Sequence, residues 1–484
     1  MMGRYGGGVV PILVAVLMML MTNLVVESRT LLVENNINIV SEEEEEEYLG
    51  TNGRRWAVLV AGSRGYDNYR HQADICHAYQ ILRKGGLKEE NIIVFMYDDI
   101  AFNVENPRPG TIINKPNGQD VYAGVPKDYT GENCTAENFL AVILGNKSAL
   151  SGGSGKVVDS GPDDRIFIYY ADHGAAGVVG MPAGQDLYAK DLIQALKKKH
   201  EARAYKSMVF YLEACESGSM FEGLLPRNWS IYAITAANGE ESSYAFYCPD
   251  DYPSPPSQYI TCLGDIFSIS WLEDSDLHYS GNETVGQQYK VIRRRTGYDY
   301  PLYSSHVMQF GDKKLRDDFL SVYMGATRLS TIPAAVAPNG DTFNIINHHH
   351  SRALTQAQAS LVYFSQKYKR AAKGSDEEVE ARRKLRDVED GMGRVDGSMR
   401  HILRTLFGPN KNATEAFINL VRPTGQPLVD DWDRFKSLVR TYEEQCGRLS
   451  WYGRNYIRGI ANLCNAGLTP HQMAAASAQA CKSF

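Results

Sequence analysis

The 484-residue sequence predicts an α/β fold with a mostly parallel sheet and helices on both faces, followed by an all-helical C-terminal region. Three observations carry that expectation. Short β-branched and aromatic runs alternate with helical stretches from Trp56 to about Gly325, the pattern of a parallel sheet. Two of those runs end on reactive side chains. Arg165-Ile166-Phe167-Ile168-Tyr169-Tyr170-Ala171 leads into Asp172-His173-Gly174, and Met208-Val209-Phe210-Tyr211-Leu212 into Glu213-Ala214-Cys215-Glu216-Ser217-Gly218. From Ala353 onward the chain reads as helix, with apolar Val388, Met392, Val395, Met399, Ile402 and Leu406 spaced by fours and threes.

Taken in order, Val9–Val26 is almost wholly apolar behind Arg4, so residues 1–28 read as a cleaved secretory signal, with a signal anchor as the alternative. Residues 29–52, with the Glu42–Glu47 run, read as a propeptide or an ordinary mobile terminus. The body, 53–330, opens with the buried strand Trp56–Ser63. It continues through a helix over His71–Arg83, strand Ile92–Met96, the two runs above, a helix over Ala189–Lys199 and strand Ser230–Thr235. The segment 331–352, with Pro333, Pro338, Gly340 and His348-His349-His350, reads as an exposed linker, the His triplet being a solvated loop before it is a metal site. In the region 353–484, Ser375 is placed to cap a helix opening with Asp376-Glu377-Glu378.

Composition narrows the function. A hydrophobic content of 43% and a charged content of 22% are ordinary for a globular protein, and the net charge of −6 argues against nucleic acid as a main partner. From Ala353 on there are 20 Lys+Arg against 14 Asp+Glu, net +6; the remainder holds 31 against 43, net −12. A basic tail beside an acidic body suggests that the two dock. Sequons at Asn133, Asn146, Asn228, Asn282 and Asn412 are glycosylation candidates that fit a secretory route. Cys248 and Cys262 flank a Pro-rich stretch and are placed to close a loop; Cys446, Cys464 and Cys481 cluster near the C-terminus. No metal site or cofactor is called for, and no segment after the first is apolar enough to span a bilayer.

Ligands bind at the carboxyl ends of parallel strands, so Cys215 and His173 at two such ends form a candidate nucleophile and base. The thiol needs a proton acceptor, and an imidazole supplies one, then returns the proton to the leaving amine. The N–H groups of Gly174 and Cys215 are candidate oxyanion donors. The small residues Ala214, Ser217, Gly218 and Ser219 suit a tight turn with close substrate approach.

The Cys segment has a caspase-like local pattern, with Glu213 where caspases carry Gln. The chain resembles far more closely the legumain family of asparaginyl endopeptidases, which includes plant vacuolar processing enzymes. The motifs are Trp56-Ala57-Val58-Leu59-Val60-Ala61-Gly62-Ser63, Asn68-Tyr69-Arg70-His71-Gln72-Ala73-Asp74, Asp172-His173-Gly174, Glu213-Ala214-Cys215-Glu216-Ser217-Gly218-Ser219-Met220 and Thr261-Cys262-Leu263-Gly264-Asp265. The resemblance implies a caspase-like catalytic domain that cleaves after Asn and more weakly after Asp. It implies Cys215 as nucleophile, His173 as base, Asn68 as the residue orienting it, and Arg70, His71, Glu213, Ser243 and Asp265 as the Asn pocket. A carboxamide offers one acceptor and two donors, which a cation and carboxylates can satisfy. It further implies protein substrates with exposed Asn, a vacuolar destination, and a zymogen capped by its C-terminal region, with a dimer as a candidate assembly. Acid release by cutting at Asn52, Asn339, Asp341, Asn344 or Asn347 follows from the same likeness.

The sequence departs from the family at two sites of the catalytic domain and at one C-terminal position. Ala175-Ala176 stands where hydrolytic plant members show Gly-Pro, and Tyr244-Ala245 where they show Trp-Gly. In this family such residues resemble those of peptide ligases, which implies transfer of the acyl group to an amine at near-neutral pH. Arg434 occupies the position of a first C-terminal cysteine, so the implied family pairing retains Cys446–Cys481 and leaves Cys464 single. Two other classes compete: an inactive binding or storage protein on a protease fold, which intact Cys215, His173 and Asn68 oppose, and a glycolipid-anchor transamidase, which would carry a C-terminal membrane helix.

Overall fold

The computed structural model describes residues 53–277, 281–298, 304–326, 354–408, 416–450 and 452–482. The signal, the propeptide, Asn52, the linker sites Asn339, Asp341, Asn344 and Asn347, and Asn412 lie outside the described residues.

Six strands make the central sheet: β1 (Arg55–Ala61), β2 (Ile92–Phe95), β3 (Arg165–Ala171), β4 (Ser207–Glu213), β5 (Ile231–Thr235) and β6 (Met308–Gly311). Their spatial order is β6-β5-β4-β3-β1-β2, all parallel except the edge strand β6, which runs antiparallel to β5. The mostly parallel sheet expected from the alternating runs is therefore present, and both of its faces are covered.

Alternation along each strand divides the core. Val58, Val60, Ile166, Ile168, Phe210 and Ile231 face a layer containing α2 (Ala136–Ile143) and α3 (Ala189–Glu201). Leu59, Phe167, Tyr169, Val209 and Tyr211 face the opposite layer, with α1 (Tyr69–Lys84), α4 (Ile266–Leu277) and α5 (Val285–Arg293). The helices end where propensity and capping predict: Thr135 caps α2 through the N–H of Asn138, and Thr284 and Gln287 form a capping box on α5.

The C-terminal region is helical, with α6 (Gln356–Arg370), α7 (Asp376–Phe407), α8 (Trp432–Cys446), α9 (Ile457–Asn465) and α10 (Pro470–Cys481). Ser375 caps α7 by accepting from the N–H of Glu378, as its position suggests. Of the predicted stripe on α7, Met399 and Ile402 are buried, while Val388, Met392, Val395 and Leu406 are half-buried. This core is continuous with the body: Trp432, Phe435 and Ile460 share one cluster with α2, α3 and the sheet. The disulfides are Cys248–Cys262 and Cys446–Cys481, and Cys464 is a buried free thiol. Among the described residues no helix is long and apolar enough to cross a membrane.

Candidate active site

In the β3–β4 pairing Ala171 lies opposite Glu213, so His173 and Cys215 each stand two residues past the last paired position of adjacent strands. The Asp172 N–H bonds Glu213 O at 3.0 Å, carrying the pairing one step further. The Gly174 backbone then lies so close that a Cβ there would sit 2.3 Å from the Cys215 carbonyl oxygen. Only glycine fits. After Cys215 the chain turns through Glu216, which adopts left-handed φ 50° and ψ 23°, a costly conformation for a residue with a side chain.

Asn68 ends the short turn before α1. Its Nδ2 donates to Arg64 O at 2.9 Å, which leaves Oδ1 to accept from His173 Nε2 at 2.6 Å. That contact assigns the proton to Nε2 and makes Nδ1 the basic nitrogen. Arg70 also lies 3.4 Å from His173 Nε2, a much longer contact that does not compete. Burial holds the imidazole well below its ordinary value, with Arg70 and Arg454 adding to the effect. The Cys215 thiol is pushed up to about 11 by burial, against the opposing pull of Ser243. Its sulfur accepts from the Ser243 N–H at 3.3 Å. Both shifts favour the neutral forms, a thiol and an imidazole.

The expected pocket residues converge. Arg70 Nε donates to Asp265 Oδ1 at 2.9 Å with both side chains fully buried. His71 bonds Ser63 Oγ at 2.7 Å, and its other nitrogen lies 3.5 Å from Asp265 Oδ2. Glu213 Oε2 accepts from the N–H and hydroxyl of Ser268 at 3.2 and 3.3 Å. Burial first, then Asp265, raises the Glu213 carboxyl to about 8; Asp265 itself is raised to about 6 by burial against the pull of Arg70.

Sequence reasoning missed what fills this pocket. Leu354 and Thr355 pair antiparallel with Ala245 and Tyr244, and the next residue, Gln356, is fully buried. Its Nε2 donates to Ser243 Oγ at 2.9 Å and reaches Glu213 Oε1 at 3.4 Å. A second missed residue is Arg458 of α9, which pairs with Glu216 at 2.5 Å and also donates to Gly239 O. Neither position carries a local signal, because each is defined by a partner more than 100 residues away.

Further ion pairs tie the C-terminal region to the body: Lys367–Glu105 at 2.7 Å, Lys436–Asp191 at 2.5 Å and Arg454–Asp186 at 2.9 Å. In each the cation is on the C-terminal side. Of the two sites that depart from the hydrolytic pattern, Tyr244 follows Ser243 directly and pairs with Thr355. Ala175 and Ala176 are fully buried behind Gly174, beside Gly177, against which Leu428 and Trp432 pack. Among the sequons, Asn146, Asn228 and Asn282 are exposed and Asn133 is half-buried.

Residues 55–326 match the Peptidase C13 family and residues 383–481 the legumain prodomain. A vacuolar-processing enzyme of Citrus sinensis is 55% identical over 436 residues, 89% of this chain and 86% of that protein. One of Vicia sativa is 55% identical over 432 residues, with the same coverage. The vacuolar-processing enzyme delta-isozyme of Arabidopsis thaliana is 53% identical over 434 residues, 89% of this chain and 90% of that protein.

Proposed function

Since the chain belongs to the peptidase C13 (legumain) family of cysteine endopeptidases, we propose that it cleaves after Asn, and more weakly after Asp, through an acyl-thioester on Cys215. His173 Nδ1 takes the thiol proton while Asn68 holds the ring by Nε2–H. The thiolate adds to the carbonyl carbon following the Asn side chain, and the N–H groups of Gly174 and Cys215 receive the oxyanion. Collapse breaks the C–N bond, and the imidazolium returns its proton to the departing amine.

The observation that carries this reading is Gln356. A side-chain carboxamide, the group that distinguishes Asn, lies among Ser243 and Glu213 in the pocket that Arg70, His71 and Asp265 complete. The C-terminal region acts on this view as an intramolecular inhibitor with a near-substrate in the specificity pocket, and the protein is a zymogen. The boundaries we propose are a signal over 1–28, a propeptide over 29–52, the catalytic domain over 53–330, the activation linker over 331–352 and the cap over 353–484. Passage through the secretory route to a vacuole accords with the relatives, which are named vacuolar-processing enzymes.

For the second half-reaction we propose transfer to a peptide amine at near-neutral pH, with hydrolysis rising in acid. The observation that favours this over a purely hydrolytic enzyme is the identity of Ala175-Ala176 and Tyr244-Ala245 beside Gly174 and Ser243. Acid treatment followed by digestion of a protein mixture tests the primary reading. New C-termini should be Asn, with a minority of Asp, and should vanish in Cys215→Ala. Cleavage with no Asn preference overturns it.

A further inference from the structure

Asp74 closes the motif that begins at Asn68, yet the pocket chemistry above gives it no role. It lies on α1 one turn beyond Arg70, fully buried, with its carboxyl beside that of Asp265. Asp265 is drawn toward its ionised form by Arg70, whose Nε donates to Oδ1 at 2.9 Å. Asp74 Oδ1 accepts from Asn114 Nδ2 at 2.7 Å. The orientation of Asn114 is fixed, because its Nδ2 also donates to Leu263 O at 2.9 Å and its Oδ1 meets His77 Nδ1 at 2.8 Å. Asp74 Oδ2 is then left without a hydrogen-bond donor, and Asp265 Oδ2 has only His71 Nε2 at 3.5 Å, too long for a hydrogen bond. Buried carboxyls in contact do not both ionise, and one proton between them removes the repulsion and satisfies the orphaned acceptors together.

We propose that Asp74 retains its proton and donates a hydrogen bond to the Asp265 carboxylate, making Asp74 a positioning residue that orients that carboxylate for the substrate carboxamide. This rests on the Asn-directed pocket proposed above. The surroundings agree. Glu213 of β4, Tyr169 of β3 and Cys76 of the same helix are the other titratable groups electrostatically coupled to Asp74, and none is a cation. His71 is held well below its ordinary value by burial and by Arg70, so it brings no charge. Arg70 is already engaged by Asp265. Burial, and after it Asp265, pushes the Asp74 carboxyl well above the aspartate range, against the pull of Asn114.

The test uses the acid-activated full chain and an Asn peptide. Asp74→Asn supplies a permanent N–H donor and an acceptor for Asn114; Asp74→Ala supplies neither. In Asp74→Asn, kcat/KM in acid should stay within about threefold of wild type. Loss of the donor in Asp74→Ala should lower it by about 10- to 100-fold, the scale of a buried unsatisfied polar group. The alkaline decline caused by ionisation of Asp74 should be absent from Asp74→Asn, an effect that a merely structural role would not produce. The proposal is overturned if Asp74→Asn falls as far as Asp74→Ala, if its pH profile superimposes on that of wild type, or if it does not fold, since the amide imitates the protonated state. Absence of Asn cleavage by wild type would instead defeat the proposed function itself.

Discussion

Gln356 is bonded to Ser243 twice, its N–H to Ser243 O at 3.4 Å and its Nε2 to Ser243 Oγ at 2.9 Å. Ser243 in turn donates its own N–H to the Cys215 sulfur at 3.3 Å. One residue of the body therefore touches both Cys215 and Gln356. The start of α6 is held there by a capping box between Thr355 and Gln358, so its first side chain enters the site at a set angle.

Truncating that side chain should loosen the block. Gln356→Ala removes contacts to Ser243 and Glu213 and leaves buried acceptors unsatisfied, a loss of about 1–3 kcal/mol. Labelling of Cys215 by a thiol-reactive peptide in the unprocessed chain should rise about 5- to 150-fold, the same energy expressed as an equilibrium. Unchanged labelling would assign the block to the ion pairs instead.

Arg458 predicts a pH-dependent effect. Its guanidinium pairs with Glu216, whose carboxyl is raised by burial and pulled back by Arg458. Arg458→Met removes the cation and leaves the carboxylate buried, at a cost of about 3–5 kcal/mol when ionised. The raised group binds its proton more tightly capped than open, so acid relieves the penalty. Premature exposure of Cys215 should thus be greatest at neutral pH and shrink as the pH falls, as read by labelling across that range.

The pocket acids add a pH-dependent contribution to the stability of the unprocessed chain. Glu213 at about 8 and Asp265 at about 6 lie above the ordinary carboxyl value of about 4. A carboxyl raised on folding binds more protons in the native state, so its contribution is complete below about pH 4 and is lost as the pH rises through the folded value. Other groups being equal, the melting temperature of the unprocessed chain should decline from about pH 5 to about 8. Glu213→Gln should flatten the upper part of that decline. A wild-type melting temperature that rises across the window by the same amount in both proteins would refute the assignment.

Much of the site could be read from the sequence, and the unread part has a physical pattern. Cys215 and His173 were visible because a buried strand announces itself by composition and its carboxyl end is a place where chemistry is exposed. Arg70, Glu213 and Asp265 came from the resemblance, since three separated charges reveal nothing of their convergence. Gln356 was invisible: in sequence it is an ordinary polar residue in the first turn of a helix. Its entry into the pocket depends on Leu354 and Thr355 adding to the edge at Tyr244–Phe246, a pairing across more than 100 residues. Arg458 was hidden for the same reason. Charge asymmetry foretold docking of a basic tail on an acidic body, but not which carboxylates would receive it.

The central claim is that Cys215 carries an Asn acyl group to an incoming amine. The direct test is mass analysis of products from the acid-activated chain, given a peptide with one internal Asn and an N-terminal acceptor peptide, from pH 4 to 8. We predict that the acyl fragment ends on Asn throughout, is joined mainly to the acceptor near neutral pH, shifts toward free acid as the pH falls, and is absent with Cys215→Ala. Free acid as the overwhelming product near neutral pH would contradict the account.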